Sequence, residues 1–102
     1  MSTKQQITAV IYDRKGRVLS VGQNSYIKTH PLQAQMAKRV GEPLKIFLHA
    51  EVHAITRCRD LSKAYRIRIF RYDRSGKPVL ARPCEICQTA IDHAGIRLVE
   101  HT

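Results

Sequence analysis

Apolar and polar residues alternate from Ile7 to Tyr12, with Ile7, Ala9 and Ile11 on one side, and a period of two predicts a half-buried β-strand. Asp13-Arg-Lys-Gly16 reads as a tight turn, and Val18 to Val21 as a second, antiparallel strand closed by Gly22-Gln-Asn-Ser25. From Pro31 to Val40 the pattern changes to helical spacing. Leu32, Met36 and Val40 fall on one stripe, Pro31 stands at the first position and Gly41 follows as a stop. Ile46 to about Arg59 reads as a second helix, turning Val52, Ala54 and Ile55 to the core. Alternation returns from Tyr65 to Tyr72, with Ile67 and Ile69 on one face and Arg66, Arg68 and Phe70 on the other. Asp73 to Pro78 is a turn, Cys84 to Ala94 a helix preceded by Pro83 and ended by Gly95, and Ile96 to Glu100 a final strand.

A chain of 102 residues with 43% hydrophobic and 25% charged residues is sized and composed for one soluble domain spanning positions 1–102. No apolar run approaches the roughly 20 residues that cross a bilayer, and Met1-Ser-Thr-Lys-Gln-Gln has no signal-peptide core, so a cytoplasmic protein without a membrane partner is expected. Lys and Arg number 18 against 8 Asp and Glu, a net charge of +10 and a pI near 10.1. Such a surface attracts phosphate, in a nucleotide, a polynucleotide or a membrane surface.

Three cysteines do not suit a disulfide framework. Cys84 and Cys87, spaced Cys-x-x-Cys, read as thiolates held by a metal, with a thioredoxin-like redox pair as the alternative; Cys58 reads as a small buried hydrophobe. The segment Leu48-His-Ala-Glu-Val-His-Ala-Ile55 decides between them. His49 adds one imidazole to two thiolates, which makes a three-ligand zinc site with its fourth tetrahedral position open, and Glu51 stands two residues on. His53, four residues after His49, offers an alternative ligand, a pocket-lining group or a partner for a buried neighbour. Glu85 is either a group bonded to the helix start or a solvated side chain, and His30, His93 and His101 read as surface or loop residues.

The pattern His49-x-Glu51 … Pro83-Cys84-x-x-Cys87 resembles that of the cytidine deaminase-like superfamily of zinc-dependent nucleobase deaminases. The resemblance implies an α/β fold: a core derived from three layers, with a mixed four-stranded sheet in the order β-β-α-β-α-β and both zinc-bearing helices on one face. It covers the chain from Ile7 onward, which on this comparison is truncated at the C-terminal end, without the family's usual fifth strand. The second sheet face, bearing Arg66 and Arg68, is then open to solvent, to another subunit or to a polyanion, and a homo-oligomer is one outcome. The resemblance implies one Zn2+ on His49, Cys84 and Cys87, with Glu51 as the catalytic acid and base. Zinc brings the pKa of bound water from 15.7 to about 7. The carboxylate then moves protons from that water to the ring nitrogen and to the departing amine.

Asn24 lies in Val-Gly-Gln-Asn after the second strand, where related enzymes have a Gly-x-Asn that contacts sugar or base; an Asn favoured by the turn is the other reading. Tyr26, Arg82 and His53 are the further substrate-contact candidates. His rather than Cys as first ligand argues against the free-nucleoside branch. The Ser-Arg-Asp-Pro segment common in deoxycytidylate deaminases is absent, as is the Asp-Pro-Thr-Ala run common before His-Ala-Glu in tRNA adenosine deaminases. The expected reaction is cytosine to uracil with release of ammonia, in single-stranded nucleic acid, given the charge and the rings of Tyr26, Tyr65, Phe70 and Tyr72. Deoxycytidylate, in a compact viral or mobile-element enzyme, is the alternative substrate, followed by adenosine in RNA and by a non-catalytic basic zinc module that binds nucleic acid.

Overall fold

The computed structural model describes residues 6–45 and 47–102. Strands β1 (Ile7–Tyr12), β2 (Val18–Gln23), β3 (Arg66–Arg71) and β4 (Leu98–His101) form one sheet in the order β2-β1-β3-β4. β1 pairs antiparallel with both β2 and β3, while β3 and β4 run parallel, so the sheet is mixed as expected. The parallel pair needs a crossover, and helix α3 (Glu85–Ala94) lies in it. Helices α1 (Pro31–Arg39) and α2 (Ala50–Arg57) fall between β2 and β3.

The alternation seen in the sequence sorts the strands onto two faces. Ala9, Ile11, Ile67 and Ile69 are buried and join Val52 and Ile55 of α2 and Ile86 and Ile91 of α3 in one core. Each fully buried isoleucine there contributes about 1.5–3 kcal/mol. The opposite face carries Arg66 against the Tyr12 ring (4.5 Å to its centroid) and Arg68 against Phe70 (5.0 Å), with Glu100 at 3.4 and 3.6 Å from the two guanidinium groups. Among the described residues no helix covers it, and the shortest dimension, 19 Å, accommodates the sheet and a single helical layer.

Helix α2 lies close against β2. Ser20 Oγ donates to the Ala54 carbonyl at 2.7 Å, and a Cβ built on Gly22 would lie 2.2 Å from Ala54 N and 2.4 Å from Ala50 O. Only glycine lets the helix seat at that distance.

Most element boundaries differ from the sequence reading by a residue or two, and two differ for a physical reason. The second helix begins at Ala50 rather than Ile46, which lies outside the described residues. Phe47 and Leu48 are extended because they bond to the loop after β2: Ser25 N–H donates to Leu48 O (2.8 Å), Leu48 N–H to Lys28 O (2.9 Å), and Thr29 bridges Phe47. The last strand begins at Leu98 rather than Ile96, because Ile96 N–H still bonds to Ile91 O and its side chain completes the core. A 3-10 turn at Leu61–Lys63, capped by Asp60, was not foreseen. Cys58 is half-buried against the core at the end of α2. His30, read as a surface or loop residue, lies just before α1 and caps it by accepting from Leu32 N–H at 3.0 Å.

Candidate metal centre and its hollow

Both metal-bearing segments meet at helix N-termini. His49 is the N-cap of α2, with extended backbone (φ −83°, ψ 155°), and Cys84 is the N-cap of α3. Cys87 follows one turn into α3 and is fully buried, whereas Cys84 is exposed. His49 Nδ1 lies 3.2 Å from Cys87 Sγ and 3.4 Å from Cys84 Sγ. All three donor atoms lie within 4.8 Å of one another. In tetrahedral zinc geometry, with Zn–S near 2.3 Å and Zn–N near 2.0 Å, nitrogen and sulfur donors stand about 3.5 Å apart. The donor set therefore fits the ion in type and in spacing.

The electrostatics also call for a cation. Cys84 is drawn down to about 4, chiefly by its hydrogen bond with the Cys87 side chain and further by His49, against the opposing effect of burial. Cys87 is pushed far up by Cys84 and by burial, and the Cys84 hydrogen bond raises His49. Glu51, in the first turn of α2 and 6% exposed, is raised by its burial. Two thiols and a carboxyl crowded together cannot all ionise unless a positive ion joins them.

Gln33 holds the His49 end of this site. It is fully buried on α1; His49 N–H donates to its Oε1 at 3.2 Å, and its Nε2 donates to Lys45 O at 3.3 Å. The sequence reading passed over Gln33. Its signal was a polar residue on the stripe Gln33, Met36, Ala37 and Val40, which is the stripe that faces inward.

The site opens into a hollow of about 450 Å³, a volume suited to a small ligand. His49, Glu51 and Cys84 line it together with Asn24, Tyr26, Arg71 and Arg82. Three of the four substrate-contact candidates thus border the hollow. Asn24 also accepts from Ile7 N–H through Oδ1 at 2.9 Å, which extends the β1–β2 pairing. Tyr26 and Arg82 are exposed. His53 stands apart: its Nδ1 lies 3.0 Å from Gln23 N, and it borders a separate depression with Leu19, Val21 and Arg57. The helix turns it towards β2, so it satisfies a strand end and does not join the donors of the metal centre. Lys45, Phe47, Leu48 and Leu80 also line the hollow, and the sequence reading assigned none of them to substrate contact.

A zinc ion held by one imidazole and two thiolates at two helix starts, beside a buried glutamate, defines a zinc-dependent deaminase type of centre. The family model for the cytidine and deoxycytidylate deaminase zinc-binding region matches residues 1–101, and the chain belongs to that family. The resident cofactor is one zinc ion, with His49, Cys84 and Cys87 positioned to hold it. A search of curated proteins finds no significant match. No helix among the described residues is long and apolar enough to cross a membrane.

Proposed function

We propose that this protein hydrolyses the exocyclic amine of cytosine, giving uracil and ammonia, on a base presented by single-stranded nucleic acid. The observation that carries this reading is the buried Glu51 carboxyl lining the same hollow as the His49 and Cys84 ligands. Zinc bound there would supply the Lewis acidity that makes water nucleophilic near neutral pH. Water adds to C4 of the base, the C4–N bond breaks, and the amine leaves as ammonia. Glu51 takes the proton released by the attacking water, passes it to the ring nitrogen, and returns a proton to the departing amine. Burial of Glu51 keeps competing solvent away from those transfers.

A single-stranded substrate fits three features: an open hollow, the exposed Arg82 and Tyr26 at its border, and the charge of +10. Deoxycytidylate is the second reading. The family's description names it, and Arg82 or Lys45 can meet a single phosphate.

Zinc-loaded protein is assayed for uracil and ammonia on a cytosine-containing oligonucleotide and on deoxycytidylate, with Glu51→Gln as blank. We expect turnover on the oligonucleotide and a loss of about 10²–10⁴-fold in the variant, with its zinc retained. Turnover on deoxycytidylate alone would select the second reading, and equal turnover by Glu51→Gln would remove the assigned role of Glu51.

A further inference from the structure

Away from the metal centre the chain builds a second, strongly basic hollow of about 600 Å³. Three separate segments converge on it. The β1–β2 turn brings Arg14, Lys15 and Arg17, the 3-10 turn brings Lys63, and the segment entering β4 brings Arg97. Among the described lining residues Asp13 is the one carboxylate. It is already committed, since its Oδ1 accepts from Lys15 N–H and Arg17 N–H and its Oδ2 from Arg17 Nε at 2.8 Å. Asp60, outside the lining, feels the Lys63 charge, but no described carboxylate forms an ion pair with Arg14, Lys15, Lys63 or Arg97. The Arg14 guanidinium lies 4.9 Å from the centroid of the Tyr65 ring, so it gives up less freedom when it takes an anion.

Cations gathered this closely repel one another, and a multivalent anion relieves that cost. We infer that this hollow binds the phosphodiester backbone of single-stranded nucleic acid, at a site distinct from the zinc hollow. The inference rests on the strand reading only for the source of the phosphates. Tyr65 borders the basic hollow and Arg71 the zinc hollow, so β3 separates them by six residues at about 3.3 Å each, about 20 Å. A strand stacked at about 3.4 Å per nucleotide covers that span in about six nucleotides. The basic hollow thus holds the flanking strand and not the target base.

The test is anisotropy of a labelled twelve-residue oligothymidylate, which contains no cytosine and needs no turnover, across a salt series. Wild type is compared with Arg14→Ala/Lys63→Ala/Arg97→Ala and with Lys38→Ala/Arg39→Ala/Lys77→Ala, whose residues lie outside both hollows. At about 0.7 per phosphate contact the first triple variant should flatten the log–log salt slope by about 2, about a hundredfold in affinity between 1 M and 0.1 M salt. Lys63→Gln/Arg97→Gln, which keeps Arg14 on Tyr65, should flatten it by about 1.4 and covers a folding failure of the triple. Equal slopes in the two triple variants would overturn the inference. So would displacement by inorganic phosphate at millimolar concentration, or by polyglutamate as readily as by unlabelled oligonucleotide. Turnover of cytosine is read separately, so failure of the deaminase proposal leaves this result standing.

Discussion

Gly22→Ala tests the reasoning at a point where helix α2 lies close against the sheet. The Gly22 backbone does not need positive φ, so on conformational grounds alone alanine should stabilise the chain by about 0.4–1 kcal/mol. Packing gives the opposite sign. The added Cβ would meet Ala54 N at 2.2 Å, Ala50 O at 2.4 Å and Ala54 Cα at 2.8 Å, whereas ordinary contact begins at 3.4 Å. The shortest contact is therefore 1.2 Å too close, and every atom it meets is backbone, which cannot rotate away. Helix α2 must move off β2 by about an ångström, breaking the Ser20–Ala54 bond and carrying His49 and Glu51 with it. Overpacking of this kind costs about 1–3 kcal/mol, and the lost buried bond about 1 more. Set against the conformational gain, the net loss is about 1–3.6 kcal/mol, and at about 4–8 °C per kcal/mol the melting temperature should fall by roughly 4–29 °C. The assay is a thermal melt followed by circular dichroism, alongside Gly16→Ala. Gly16 has φ +81° but nothing within 4 Å, so that variant costs only backbone strain of about 1 kcal/mol. A Gly22→Ala protein that melts at or above wild type, or no lower than Gly16→Ala, would refute the packing argument.

Removing zinc with a strong chelator should lower the melting temperature, because the ion ties the α2 and α3 N-termini; a melt unchanged by chelation would contradict this. Gln33→Met keeps the volume but strips His49 N–H and Lys45 O of their partner. It should cost about 1–3 kcal/mol per orphaned group and weaken zinc retention in a chelator competition, and unchanged retention would show that Gln33 only fills space. Asp13 is held below its ordinary 3.8, first by the Arg17 backbone N–H. The advantage of wild type over Asp13→Asn should therefore be complete above pH 3.8 and shrink as the pH falls towards the lower folded value, as read from urea midpoints. A difference independent of pH would mean that the carboxylate charge plays no part.

The strands were legible because their pattern is local. Ala9 and Ile11, and Ile67 and Ile69, alternate with residues that reach solvent or the open face, and that alternation survives folding unchanged. The zinc ligands were legible for a different reason: a metal restricts both residue type and spacing, so His49, Cys84 and Cys87 stand out from the rest. What escaped depends on contacts between distant segments. Phe47 and Leu48 have nothing against helix in their own sequence; hydrogen bonds to Ser25 and Lys28 hold them extended. Gly22 looked like the end of a strand, and only the approach of α2, about thirty residues later, gives it a purpose. The basic hollow was equally hidden, since Arg14, Lys63 and Arg97 lie far apart in the chain.

The two N-cap ligands are each steadied from outside the metal centre, and that bears on how strongly folding and zinc are coupled. On one side α1 reaches through Gln33 to the His49 backbone. On the other, the stretch leading to Cys84 is pinned to the end of the sheet: Ala81 N–H donates to Thr102 O at 2.9 Å, and Thr102 Oγ1 donates to Val79 O at 2.6 Å. Thr102 Oγ1 in turn accepts from Arg71 N–H at 3.1 Å, which joins that stretch to β3. The core of Ile11, Ile67, Ile69, Ile86 and Ile91 assembles without any metal ligand except Cys87. These bonds lead to the expectation that zinc closes a prepared site and does not create the fold. The metal-free protein should therefore melt cooperatively at a lower temperature with its near-ultraviolet dichroism retained below the transition. A metal-free state that has lost that signal would place the ordering of the core downstream of zinc and contradict the view of a prepared site.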